Sequence, residues 1–204
     1  PLIYIAGASM ILYLHGFRSS PSSYKAQRLK QTMQDRGLLH LWRCPQLPAS
    51  PAQAIAMCKR IVDTEMQAGM SADQLCVIGS SLGGYYASHL AQHYHSRAVL
   101  LNPVVYAGRD LATQVGEHVC YHSPDPFHFL PDYVDELNDI HVPRPSDPQR
   151  FYLLAAKGDE VLNWREMADW YKGSQGHILE GGDHGLTDFD PWIDEILRFA
   201  LQQP

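Results

Sequence analysis

The sequence predicts an α/β domain built on a sheet of about six mostly parallel strands with helices on both faces. Three observations lead there. Short apolar runs alternate with segments of helical period, which is the signature of βαβ units. The run Leu75-Cys76-Val77-Ile78 leads into Gly79-Ser80-Ser81-Leu82-Gly83 and then into a helical pattern, giving a strand, a sharp turn and a helix with Gly-x-Ser-x-Gly at the bend. A chain of 204 residues that is 45% hydrophobic is long enough for one well-buried core and short for two domains.

The elements follow in order along the chain. Met10 stands directly before the apolar run Ile11-Leu12-Tyr13-Leu14, so Met10–Leu14 is the first expected strand. Pro1 to Ser9 then reads either as a leader foreign to the domain or as an extra edge strand. Ala26, Leu29 and Met33 share one helical face, and Leu39–Arg43 is the second expected strand. Ile55, Cys58, Val62 and Met66 mark a second helix, and Leu75–Ile78 and Ala98–Asn102 are the next strands. Tyr106 to Arg150 breaks the rhythm. It holds many of the prolines and the aromatic-rich stretch Tyr121-His122-Ser123-Pro124-Asp125-Pro126-Phe127-His128-Phe129-Leu130, and loops of such length in compact domains usually serve as lids or binding loops. We read it as a small cap with one helix around Tyr133–Ile140, against the alternative of a surface excursion without a binding role. Phe127, Phe129 and Leu130 are its candidate substrate-binding residues. Phe151–Ala155 and His177–Glu180 complete the strands. Phe189, Trp192, Ile193, Ile196, Leu197 and Ala200 form the clearest helical stripe, with Asp188 as its expected N-cap.

Composition narrows the function classes. The net charge is −6, and no run of Lys or Arg can neutralise consecutive phosphates, so nucleic acid is not an expected partner. No apolar stretch reaches the ~18 residues of a membrane span, and the first segment lacks the basic start of a secretion signal. Cys44, Cys58, Cys76 and Cys120 show no C-x-x-C spacing, and Cys76 sits in an apolar strand as a small buried hydrophobe. Nothing requires an oxidising compartment, and the expected location is the cytoplasm. There is no Gly-x-Gly-x-x-Gly or P-loop pattern, and no cofactor is expected. His89 and His93 stand at i, i+4, but no Glu follows His89 to make H-E-x-x-H. A solvated helix face explains that pair better than a metal.

Ser81 is the expected nucleophile, because glycines two residues either side permit a turn too sharp for a Cβ there. Ser80 lacks such a flanking pair. A serine hydroxyl needs a base within hydrogen-bond reach and a third group to orient that base, and in hydrolases built on this turn the order is Ser, acid, His. Gly158-Asp159 follows the strand Phe151–Ala155 and makes Asp159 the acid, with adjacent Glu160 as its competitor. His184, in the glycine-rich loop Gly181-Gly182-Asp183-His184-Gly185, is the base. The loop His15-Gly16-Phe17 follows the first strand. The N–H groups of Phe17 and Leu82 are the natural pair to hold an oxyanion, at ~3 kcal/mol each, and Leu82 also opens a helix whose dipole favours negative charge. His15 is expected to shape its loop by hydrogen bonding. His118, His122 and His128 either line the pocket or lie on the surface.

With these residues in place the chain resembles an α/β-hydrolase and, more narrowly, the YqiA-type family of small bacterial esterases. The narrower likeness rests on Leu12-Tyr13-Leu14-His15-Gly16-Phe17-x-Ser19-Ser20-Pro21, Ile78-Gly79-Ser80-Ser81-Leu82-Gly83-Gly84-Tyr85-Tyr86-Ala87, Leu101-Asn102-Pro103, Gly158-Asp159-Glu160-Val161-Leu162 and Glu180-Gly181-Gly182-Asp183-His184. It implies hydrolysis of carboxylic esters or acyl thioesters and carries the triad onto Ser81, Asp159 and His184. The cap and the segment before Met10 have no counterpart in it. The expectation is a cytoplasmic serine esterase or thioesterase acting on a small acyl ester, with strand order 2-1-3-4-5-6 and no obligate protein partner. A peptidase or acyltransferase with the same triad, and a non-catalytic binding protein on the same fold, are the rival readings.

Overall fold

The computed structural model describes residues 9–203, so the expected leader Pro1–Ser9 lies, apart from Ser9, outside the described residues. In chain order the elements are β1 (Met10–Leu14), α1 (Tyr24–Asp35), β2 (Trp42–Arg43), α2 (Pro51–Gln67), β3 (Leu75–Ser80), α3 (Leu82–Tyr94), β4 (Arg97–Leu101), α4 (Ala107–Ala112), β5 (Gly116–Val119), β6 (Pro126–Phe129), α5 (Asp132–Asp139), β7 (Phe151–Ala156), α6 (Trp164–Trp170), β8 (Gln175–Leu179) and α7 (Ile193–Ala200). The main sheet runs β2-β1-β3-β4-β7-β8, and every pairing in it is parallel. This is the expected order 2-1-3-4-5-6.

The central strands β1, β3, β4 and β7 are buried on both faces, and their alternation divides the core in two. Leu12, Leu14, Val77, Leu100, Leu153 and Ala155 face the layer that holds Ala54, Cys58 and Val62 of α2 and Tyr86, Leu90 and Ala91 of α3. Ile11, Tyr13, Cys76, Ile78, Val99, Leu101, Leu154 and Ala156 face Ala26, Leu29 and Met33 of α1 and Ile193, Ile196 and Leu197 of α7. A period of two within each strand therefore feeds two helical layers.

Three expected elements change. Leu39–Leu41 is a 3-10 turn rather than strand, leaving Trp42 and Arg43 to pair with Ile11 and Leu12. Leu38, Leu41 and Trp42 are the buried residues there while Leu39 is exposed, and that i, i+3, i+4 spacing suits a helical turn. The last helix begins at Ile193, and Asp188 does not cap it. Phe189 is fully buried, and Asp190–Trp192 forms a 3-10 turn with Pro191 near its start. The cap, finally, contains a hairpin and a second helix, α4, in addition to the expected helix. β5 and β6 pair antiparallel, Gly116 opposite Phe129 and Val119 opposite Pro126, around a turn in which the Ser123 hydroxyl donates to Asp125 (2.6 Å) and accepts from its N–H (3.1 Å).

The cap is fastened to the sheet layer beneath it. Glu136 accepts from the Ser50 hydroxyl at 2.6 Å and from the N–H of Ala52 at 3.0 Å, placing a carboxylate at the positive end of α2. The Tyr85 hydroxyl donates to the carbonyl of Leu137 at 2.8 Å. Arg18 Nε donates to the carbonyl of Val119, and the N–H of Tyr121 to that of Arg18, both at 2.9 Å. The hairpin is thus tied to the loop that follows β1.

Candidate active site

Ser81 is the one residue between β3 and α3, at φ 56°, ψ −119°. A non-glycine residue there carries ~1–3 kcal/mol of strain, and it persists only where its surroundings over-determine it. Here they do. The N–H of Ser81 donates to the carbonyl of Leu101 at 3.0 Å, and its carbonyl accepts from Gly84 at 2.9 Å and Val104 at 3.0 Å. The flanking glycines are steric requirements, since a Cβ on Gly79 would lie 2.0 Å from the carbonyl oxygen of Gly83, and one on Gly83 would lie 2.0 Å from that of Leu14.

The turn points the Ser81 hydroxyl at His184. Ser81 Oγ lies 3.0 Å from His184 Nε2, and His184 Nδ1 lies 2.8 Å from Asp159 Oδ2. The Asp159 side chain is fully buried, and its other oxygen accepts from the N–H groups of Val161 and Leu162 at 2.8 Å each. A carboxylate held on both oxygens favours the tautomer in which Nδ1–H donates to Asp159, leaving Nε2 free to accept from the Ser81 hydroxyl. Glu160 points elsewhere, accepting from the backbone N–H of His184 at 3.0 Å. The two adjacent carboxylates thus hold the same residue by ring and by backbone.

Phe17 and Leu82 both stand in the wall beside Ser81. A Cβ on Gly16 would be 3.3 Å from that of Ser81, so the β1 loop passes directly over Ser81. The N–H groups at the start of a helix have no partner inside it, and that of Leu82 is the first of α3. His15 faces away and is almost wholly buried. Its Nδ1 lies 2.9 Å from the carbonyl of Gly16, and its Nε2 accepts from the N–H of Leu47 at 2.9 Å. Burial holds its imidazole below the ordinary histidine pKa.

Asn102 has a structural part that sequence reasoning did not assign. Fully buried just after β4 at φ 41°, it accepts from the N–H of Ala156 at 2.8 Å and donates to the carbonyls of Asp183 at 3.0 Å and His184 at 3.2 Å. One amide therefore joins the strand that leads to Asp159 with the loop that carries His184. The available signal was a polar residue ending an otherwise apolar strand.

A cavity of about 830 Å³ opens over Ser81 and His184. From the cap it is lined by Arg109, Asp110, Leu111, Thr113, Gln114, Tyr121 and His122, and from elsewhere by Lys25, Val104, Val161 and Leu162 among others. Phe127, Phe129 and Leu130 are not among the described residues that line it. Phe127 and Phe129 share one face of β6, and that face packs edge-on against Phe17, with ring centroids 5.0 and 5.3 Å away. Leu130 points into solvent. Hairpin pairing spends those aromatic rings as the backing of the Phe17 loop.

Of the other histidines singled out, His122 reaches the cavity. His118 lies 2.7 Å from the carbonyl of Gln114, and His128 is exposed. His89 is not on a solvated face, because its Nδ1 lies 2.9 Å from the carbonyl of Ile140 at the end of the cap helix. Among the described residues no cluster of His, Cys, Asp or Glu could hold a metal, and no helix is long and apolar enough to cross a membrane. Burial pushes the thiol of Cys76 up to about 12, consistent with its packing role.

The parallel sheet in this order, with a Ser–His–Asp array at the carboxyl ends of its strands, defines the α/β-hydrolase fold. Residues 10–201 match the family described as Uncharacterised protein family (UPF0227), and the chain belongs to it, in keeping with the YqiA-type resemblance. Similar solved structures share the fold at low identity. That of the metagenome-derived lipolytic enzymes LipS and LipT has a TM-score of 0.71 at 16% identity, covering 98% of this chain and 96% of that one. Est1E from Butyrivibrio proteoclasticus with ferulic acid bound has a TM-score of 0.69 at 13% identity, covering 96% and 89%. The monoacylglycerol lipase of Paleococcus ferrophilus has a TM-score of 0.65 at 14% identity, covering 96% and 95%.

Proposed function

We propose that the protein is a serine hydrolase of carboxylic esters or acyl thioesters, working through Ser81, His184 and Asp159 and an acyl-enzyme intermediate. The observation that carries this reading is the unbroken chain from Ser81 Oγ to His184 Nε2 (3.0 Å) and from Nδ1 to Asp159 (2.8 Å) at a strained turn. Ser81 Oγ bonds to the acyl carbon as its proton passes to Nε2. The resulting oxyanion is held by the N–H groups of Phe17 and Leu82. The bond to the leaving oxygen or sulfur breaks as the imidazolium returns that proton, and a water activated by His184 then releases the acid and restores Ser81. Asp159 holds the tautomer and stabilises the imidazolium. The esterase and lipase neighbours support ester chemistry, and four free cysteines support a reducing, cytoplasmic setting.

A panel of p-nitrophenyl esters and acyl thioesters of graded chain length tests the reading. Turnover of at least one series, with negligible cleavage of matched amides, is the expected result. Cleavage of peptides alone would replace the ester hydrolase with a peptidase, and acyl transfer in preference to hydrolysis would make it a transferase.

The packing around Phe17 yields a sharper expectation. Phe127→Ala should lower kcat on short and long acyl chains by the same factor, because the ring supports the oxyanion loop and not the acyl group. A change confined to one chain length, measured as the ratio of kcat/KM values, would return Phe127 to the acyl pocket.

A further inference from the structure

Among the described residues two cations, Lys25 and Arg109, line the cavity over Ser81, and their surroundings differ. Arg109 is fully engaged, donating to both oxygens of Glu166 at 2.9 and 2.8 Å and to Asp110 at 2.7 Å. Lys25 donates to the carbonyl of Gly185 at 2.5 Å, and among the described residues no ion pair within 4.0 Å joins its ammonium to a carboxylate. The nearest negative charges, Asp183 and Asp159, act on it from farther away. Both are already committed, Asp183 to the N–H and hydroxyl of Thr187 and Asp159 to His184, Val161 and Leu162. Desolvation lowers the Lys25 ammonium to about 8, and its one hydrogen bond among the described residues goes to a neutral carbonyl rather than to a carboxylate.

The position of Lys25 adds to the cost of its desolvation. It lies in the first turn of α1, a 12-residue helix with no acidic residue in that turn and no side-chain bond from its N-cap Ser23. A lysine there adds positive charge to the positive end of the helix dipole, where a carboxylate would be favoured. Ser23, Tyr24 and Lys25 all face the cavity. Two sources of positive potential, the Lys25 ammonium and the start of α1, therefore converge on one wall.

The side of the cavity follows from the chemistry. His184 returns its proton to the leaving atom, so the leaving group departs past the imidazole, and Lys25 is bonded to the residue directly after it. We propose that Lys25 binds an anionic group, carboxylate or phosphate, carried on the leaving alcohol, so that the preferred substrates are acyl esters of acidic alcohols. This rests on the proposed ester hydrolysis and narrows its substrate class.

Matched substrate pairs test it. The butyrate ester of glycolate is compared with that of glycolamide, and the butyrate ester of 2-phosphoethanol with that of ethylene glycol; the first pair reads a carboxylate and the second a phosphate. A third pair, ethyl hydrogen succinate and ethyl butyrate, places the charge on the acyl side. The native enzyme should favour the anionic member of at least one of the first two pairs in kcat/KM. Lys25→Met should reduce that ratio about tenfold, and Lys25→Arg should retain most of it. The succinate ratio should not follow. Labelling of Ser81 by an organophosphonate, run on every variant, verifies an intact site and reports the hydrolase reading independently. Labelled native enzyme without an anionic preference overturns the Lys25 assignment and leaves the hydrolase standing; absence of both labelling and turnover removes both. Loss by a common factor on every ester in Lys25→Met reduces Lys25 to a strut for the Gly185 carbonyl. A shift in the succinate pair alone refutes the placement on the leaving-group side.

Discussion

Treated with an organophosphonate, the intact protein should gain a single adduct, and peptide mapping should place it on Ser81. The phosphonate should be attacked as an acyl carbonyl would be, with its oxygen entering the oxyanion site proposed at the N–H groups of Phe17 and Leu82. Ser81→Ala should abolish the adduct and lower ester turnover about 10⁴-fold or more, the scale on which removal of a triad member acts. Ser80→Ala should still be labelled at Ser81, because Ser80 lies within β3, nine-tenths buried, before the turn. An adduct on Ser80 would move the turn by one residue and withdraw Leu82 from the oxyanion site. A folded, unlabelled protein would favour a binding role for the fold.

The second large effect separates two histidines at the ends of strands. His184→Ala should cost about as much as Ser81→Ala, since members of a relay act as a unit and their losses do not add. His15→Ala should reduce turnover by about tenfold and act mainly on stability, because it leaves the buried N–H of Leu47 without its acceptor, a loss of ~1–3 kcal/mol. Measuring kcat beside Tm for both variants distinguishes them, and the reverse ranking would overturn the assignment of the base.

The parts legible in the sequence are those with a local cause. Met10–Leu14 runs as expected because a parallel strand buried on both faces leaves an uninterrupted apolar run. The turn at Ser81 was visible because only glycine fits at positions 79 and 83. The chain order of acid and base pointed to Asp159 and His184, and the structure brings both to Ser81. What escaped depends on partners distant in sequence. Nothing within Tyr121–Leu130 shows that the rings of Phe127 and Phe129 turn toward Phe17, more than a hundred residues earlier. Nothing in the segment around Ala26, Leu29 and Met33 shows that Lys25 meets the Gly185 loop, 160 residues later. Leu39–Leu41 misled because a short apolar run satisfies either period, and only the burial of Leu38 beside Leu41 and Trp42 decides between them.

Asn102 also bears on how the site comes into being. Its side chain spans segments that are 54 and 81 residues away along the chain, and such distant contacts form late, after the entropy of closing long loops has been overcome. The serine can take up its strained turn once β3 and β4 pair, yet base and acid reach it only when β7 and the Asp183–His184 loop have closed on the same amide. The Ser81–His184–Asp159 array is therefore a property of the completed sheet, and a chain that has not closed it holds Ser81 apart from both partners.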